Sequence, residues 1–174
     1  MVQGRHTINL GIGQGYILTT PLQLALAYSG LANKGIIYQP QFIQPKEENL
    51  YSPKKIAEIN LSEKDSWNKM EQSLVDVISA KNGTAYKIFD SSSAVIAGKT
   101  GTAQIKSIIP DKEYDAIREN PSLRDHALFV GYGPVKDPKL VVAVIIENGE
   151  SGSEVAAPIV KSAINFFTGS LNAK

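Results

Sequence analysis

Residues 139–147, Lys-Leu-Val-Val-Ala-Val-Ile-Ile-Glu, constrain the fold more than any other stretch. The apolar run from Leu140 to Ile146 is continuous rather than alternating, the pattern of a strand covered on both faces. As a helix it falls far short of the roughly 20 residues that span a bilayer. It is expected at the centre of a sheet, with helices packed above and below. His126 to Tyr132 supplies one neighbour as a hairpin, through the turn Gly133-Pro134-Val135-Lys136-Asp137-Pro138. A third strand begins at Ala94-Val95-Ile96-Ala97 and runs into Gly98-Lys99-Thr100-Gly101-Thr102-Ala103-Gln104, with glycines where another backbone or a ligand comes close. No other stretch reads as a strand able to flank the central one on its second side, so one or more strands are expected to be missing.

The covering helices have clear starts. Thr20-Pro21-Leu22-Gln23 combines an N-cap, a proline at the first helical position and a capping-box glutamine. The helix that follows runs to Asn33, is apolar on nearly all sides, and is expected to be buried. Lys34-Gly35 ends it with a cation and a residue tolerant of left-handed geometry. Ile36-Ile37-Tyr38 suggests a short strand, and Gln44 to Pro53 a polar surface connection. A second helix is expected from about Ser62, with Trp67, Met70, Leu74 and Val77 or Ile78 forming one apolar stripe, stopped by Lys81-Asn82-Gly83. A terminal helix is expected over Ser153–Thr168, with Ala156, Ile159, Val160, Ala163, Ile164 and Phe167 facing inward. Together these elements predict an α+β fold, a partial antiparallel sheet sandwiched by helices.

Composition narrows the function classes. With 18 Lys+Arg against 17 Asp+Glu, the 174-residue chain has no charge excess suited to a phosphate backbone, so nucleic acid is not an expected partner. There are no cysteines, which removes disulfides and thiolate chemistry. The two histidines, His6 and His126, share no metal-ligand spacing, so neither a metal nor a cofactor is expected. Gly11-Ile12-Gly13-Gln14-Gly15 superficially resembles a nucleotide-binding loop. Tyr16 to Thr19 separate it from the next helix start, however, and a tight structural loop is the better reading. The charged stretch from Lys106 to Asp125, with a helical turn expected around Tyr114–Arg118, is long for a loop inside a domain and reads as functional or mobile.

The chemistry points to residues 97–104. A strand edge carrying Lys99, Thr100 and Thr102, kept bare by Gly101, offers backbone N–H and C=O groups to an extended peptide. It also offers hydroxyls and a cation to a carboxylate.

Lys99-Thr100-Gly101-Thr102-Ala103-Gln104 resembles the third motif of the penicillin-binding transpeptidases. Ile12-Gly13-Gln14-Gly15 followed by Thr20-Pro21-Leu22-Gln23-Leu24-Ala25 is similar to a segment of the monofunctional class B enzymes. Leu123-Arg124-Asp125-His126, followed by Phe129-Val130-Gly131-Tyr132-Gly133-Pro134, is similar to the penicillin-binding protein 2 branch that elongates rod-shaped cells. The resemblance covers about Gly4 to Phe167. It implies a D,D-transpeptidase that cross-links peptidoglycan stem peptides through a serine ester and is acylated by β-lactams. It also implies the periplasmic face of the bacterial inner membrane, reached through an N-terminal anchor absent here, and cell-elongation scaffold proteins as partners. By the same resemblance Lys99 aids proton transfer beside a serine of the middle motif. Thr100 and Thr102 bind the terminal carboxylate, the Thr102 N–H is one oxyanion donor, and Gly101, Ala103 and Gln104 complete the substrate strand.

The family also requires S-x-x-K and S-x-N motifs ahead of the Gly-Gln-Gly segment, and neither is there. Ser52-Pro53-Lys54-Lys55, Ser66-Trp67-Asn68-Lys69 and Ser170-Leu171-Asn172 match by chance and in the wrong order. The expectation is an incomplete transpeptidase domain over 1–174, its C-terminal portion, with the nucleophile and the flanking strands on a missing N-terminal piece. A non-catalytic peptide- or partner-binding module is the alternative.

Overall fold

Three antiparallel strands form the main sheet: β3 (Ala97–Ala103), β4 (His126–Gly133) and β5 (Leu140–Ile146), in the order β3-β4-β5. They follow β1 (Ile36–Tyr38) and β2 (Lys55–Glu58) in the chain; the helices are α1 (Pro21–Ala32), α2 (Ser66–Ser79) and α3 (Ala157–Asn172). The computed structural model describes residues 11, 13, 18–43, 52–63, 65–88, 95–105 and 120–172. The centre of the Gly-Gln-Gly loop, the serine-rich turn 90–93 and the helical turn expected at Tyr114–Arg118 lie outside the described residues.

Strand alternation sorts the sheet into two faces. On one, Phe129 packs with Ala156, Ala157, Val160 and Ile164 from α3 and the turn before it, and with Ile78 and Ala85. On the other, Ala97 and Tyr132 pack with Ala32 of α1 and Leu74 of α2. Helix α2 therefore contributes to both clusters, Leu74 to one and Ile78 to the other.

Several local expectations hold. Both bonds of the capping box are present, from the Thr20 N–H to Gln23 Oε1 at 2.8 Å and from the Gln23 N–H to Thr20 Oγ1 at 3.2 Å. The chain leaves α1 through left-handed geometry at Lys34 and Gly35, with φ of 53° and 100°. In α3 the buried residues Ala157, Val160 and Ile164 recur at three and four positions, one stripe against the sheet.

Strand β5 pairs with β4 on one side and has no second neighbour among the described residues, in line with the expectation that no segment of this chain flanks it there. Its residues are half-buried, covered in part by the two clusters. Other expectations are corrected. An extra strand, β2, pairs antiparallel with β1, Ile36 opposite Glu58 and Ile37 opposite Ala57. Its four residues are all exposed, so no buried face marked it in the sequence. Helix α1 is buried only at Gly30 and Ala32, because it lays one side of its C-terminal half on the sheet. Helix α2 begins at Ser66 rather than near Ser62, since the Ser66 N–H closes a turn on the Glu63 carbonyl. Met70 and Ile159, expected inside, are each 46% exposed; the buried positions are Leu74 and Ile78 in α2 and Ala157, Val160 and Ile164 in α3.

Candidate functional site

Strand β3 is the edge of the sheet among the described residues, in register with β4: Lys99 opposite Val130, Thr100 opposite Phe129, Gly101 opposite Leu128, Thr102 opposite Ala127. Its start is buried and its remainder is open, with Lys99, Thr102 and Ala103 exposed and Thr100 and Gly101 half-buried. Gln104, just past the strand, is exposed as well.

Alternation places Lys99 and Thr100 on opposite faces of the sheet. They meet all the same. The Lys99 ammonium crosses the bare edge, donating to the Thr100 carbonyl at 3.0 Å and to Thr100 Oγ1 at 3.3 Å. A paired neighbour strand at this point would block that path. Since the Thr100 carbonyl receives this donor, it faces away from β4. In an antiparallel ladder alternate residues point their backbone groups the same way, so the Thr102 N–H and C=O face outward too. The exposed rim thus carries a cation, two threonine hydroxyls and backbone groups with no strand partner among the described residues, chemistry able to meet an extended peptide or a carboxylate.

The frame beneath the rim is tight. A Cβ on Gly98 would lie 2.7 Å from both the Phe129 ring and the Val130 carbonyl oxygen, so the strand starts where only glycine fits. Gly152, which opens the π-type turn Gly152–Ala156 leading into α3, sits over the seam between β3 and β4. A Cβ there would overlap the Leu128 carbonyl and come within 2.9 Å of the Gly101 carbonyl oxygen. Beyond the strand, the Ile105 N–H reaches Asp125 Oδ1 at 3.4 Å. The Asn148 N–H donates to His126 Nδ1 at 3.0 Å, and Asn148 Nδ2 donates to the carbonyls of Ser122 and Arg124.

Sequence reasoning missed one neighbour of the rim. Thr84, in the turn after α2, lies with its hydroxyl 3.1 Å from Thr100 Oγ1. The two residues are 16 apart, and no motif linked them. An open apolar groove of about 680 Å3 lies elsewhere, between α1, residues 38–43 and Val141, and includes none of residues 97–104. Ser52 and Ser66, the chance nucleophile matches, are on the β2 approach and at the start of α2, and Ser170 is near the end of α3. Among the described residues no group of three or more His, Asp or Glu is placed to hold a metal ion. No helix among them is long and apolar enough to cross a membrane.

The chain is 38% identical to the peptidoglycan D,D-transpeptidase MrdA of Haemophilus influenzae, over 95% of its own length and 26% of the relative's. It thus spans about a quarter of that curated protein. Among solved structures, penicillin-binding protein 2 of Pseudomonas aeruginosa matches with a TM-score of 0.72 and 38% identity, covering 92% of this chain and 33% of that one. Penicillin-binding protein 2 of Helicobacter pylori, solved as a complex with MreC, matches with a TM-score of 0.69 and 30% identity, covering 94% and 27%. The penicillin-binding protein transpeptidase domain family matches residues 3–165, which takes in the whole sheet, the Lys99 rim and most of α3. Fold, motif and family match coincide on the same residues, and the chain belongs to the penicillin-binding protein transpeptidase domain family.

Proposed function

We propose that this chain forms the substrate-binding rim of a peptidoglycan D,D-transpeptidase, an incomplete domain whose serine nucleophile lies on a portion outside these 174 residues. The observation that carries the reading is the open edge of β3, where Lys99 reaches across to Thr100 and the Thr102 backbone faces outward.

An acyl-donor peptide ending in D-Ala-D-Ala would lie along this edge, its terminal carboxylate taken by the hydroxyls of Thr100 and Thr102. Gly101 and Ala103 leave the path clear, and Gln104 marks its far end. As the serine attacked the penultimate carbonyl, the Thr102 N–H would stabilise the developing oxyanion. Loss of one such donor costs about 3 kcal/mol in acyl transfer. Lys99 would supply positive charge and a proton route beside the nucleophile's relay. A β-lactam would occupy the same edge and acylate the same serine.

The relatives are named as transpeptidases of peptidoglycan, a polymer outside the bacterial inner membrane, which supports placing the activity at that membrane's periplasmic face, held by an anchor elsewhere in the protein. The MreC complex of the Helicobacter pylori relative supports an elongation scaffold protein as a partner.

Fluorescent penicillin tests the reading. The 174-residue chain alone should take no label, and the protein joined to its upstream portion should be labelled at a serine outside this sequence. In that longer protein Lys99→Met should slow labelling by roughly a hundredfold or more. Labelling of the chain alone at Ser52 or Ser66 would sink the proposal. Peptide binding without any labelling of the longer protein would favour a non-catalytic module using the same edge.

A further inference from the structure

The turn that follows α2 holds one hydroxyl against the rim. We infer that Thr84 is a positioning residue for the hydroxyl of Thr100, a role that rests on the reading of Thr100 as a carboxylate donor.

The placement of Thr84 is fixed from both sides. Gly83 is pressed onto the last turn of α2, where a Cβ would overlap the carbonyls of Asp76 and Val77, and its N–H donates to the Ala80 carbonyl at 2.8 Å. On the other side Ala85 is buried in the core beside Phe129, its N–H donating to the Val77 carbonyl at 2.9 Å. Between these anchors the side chain of Thr84 has little choice of position, and its hydroxyl meets Thr100 Oγ1 at 3.1 Å.

Proton counting gives that contact a direction. A lysine ammonium only donates, so at Thr100 Oγ1 the bond from Lys99 uses an acceptor site and leaves the single hydroxyl proton to be assigned. With no anion bound, Thr100 can donate that proton to Thr84. When a carboxylate arrives, Thr100 must donate to it, and Thr84 rotates to donate to Thr100 instead. The Thr100 oxygen then accepts from Lys99 and Thr84 together while its proton points at the ligand. Thr84 thereby aligns the hydroxyl and polarises it, and Thr100 has a partner in either state.

The test uses the protein joined to its nucleophile-bearing portion and two probes, a penicillin and the methyl ester of the same penicillin. Thr84→Val removes the hydroxyl at nearly constant shape. It should slow acylation by the carboxylate form roughly two- to tenfold, the range expected for one hydrogen bond, with little effect on the ester. Thr84→Ser should restore the difference between the probes. An equal fall with both probes, or a Thr84→Ser variant as impaired as Thr84→Val, would overturn the inference. If Thr100→Val leaves the ratio between the two probes unchanged, it is the carboxylate role of Thr100 that fails, and the role of Thr84 falls with it. No acylation of the unsubstituted protein by either probe would remove the transpeptidase reading itself.

Discussion

Ala97 and Gly98 at the start of β3 are buried, whereas Lys99, Thr102 and Ala103 further along are open to solvent. The first pair is enclosed by the Phe129 ring on one face and Tyr132 with Leu74 on the other. Beyond it, nothing among the described residues pairs with the outer edge. One short strand therefore combines an anchor with a free rim, and the difference teaches how an exposed set of functional groups can be held still. Rigidity comes from the buried end and from Gly152 over the seam, while the groups that would meet a ligand contribute little to folding.

That division can be broken at the anchor. Gly98→Ala should cost about 3 kcal/mol of stability, because the added methyl would meet the buried Phe129 ring and the Val130 backbone oxygen at 2.7 Å each. Chemical denaturation would read it, and a cost below about 1 kcal/mol would show that the anchor is slack.

Tyr132, opposite Ala97, sharpens the comparison from the second face. Its hydroxyl is buried with no hydrogen-bond partner among the described residues. Burial first, and the charges of Glu71 and Tyr28 after it, push the phenol from 10.0 up to about 12. Below about pH 10 folded and unfolded chains both keep the proton, and stability does not depend on it. Between about pH 10 and 12 the folded chain holds a proton that the unfolded chain has lost, so stability falls as pH rises, by ~2 kcal/mol over the window. Tyr132→Phe should remove that part of the alkaline loss and, by deleting an unsatisfied hydroxyl, leave neutral-pH stability unchanged or raised by about 1 kcal/mol. A lowered stability at neutral pH would show that the hydroxyl has a partner after all.

The smallest effect is expected at the rim. Lys99→Met should change stability by less than about 0.5 kcal/mol, since its bonds to Thr100 are solvent-exposed. A larger loss would mean that rim and anchor are one cooperative unit.

Features set by neighbouring residues were legible in the sequence. The capping box at Thr20, the left-handed exit at Gly35 and the hairpin joining β4 to β5 each depend on a few consecutive side chains. The open edge at Lys99 was legible as well, because glycines at 98 and 101 within a strand pattern mark a close approach of backbone or ligand. The apolarity of β5 announced its two covered faces, and its lack of a second strand neighbour among the described residues agrees with the sequence reading. Features set by tertiary partners were not legible. The strand Lys55–Glu58 buries no face and exists through its pairing with β1, so no periodicity announced it. The stripe rule placed Met70 and Ile159 inward, but the sheet covers only a narrow arc of each helix. The approach of Thr84 to Thr100 depends on how the turn after α2 folds back, which neither segment encodes alone.

The seat of Gly152 on the β3–β4 seam also governs how this protein can vary. The link from Glu147 to Ser151 must end with a glycine at that spot, while α3 must present Ala157, Val160 and Ile164 to Phe129. One residue added or removed would turn the helix by about 100° relative to the sheet and swing that stripe away from it. The link can therefore drift in composition across descendants, but its length is pinned, and natural insertions should collect elsewhere on the surface.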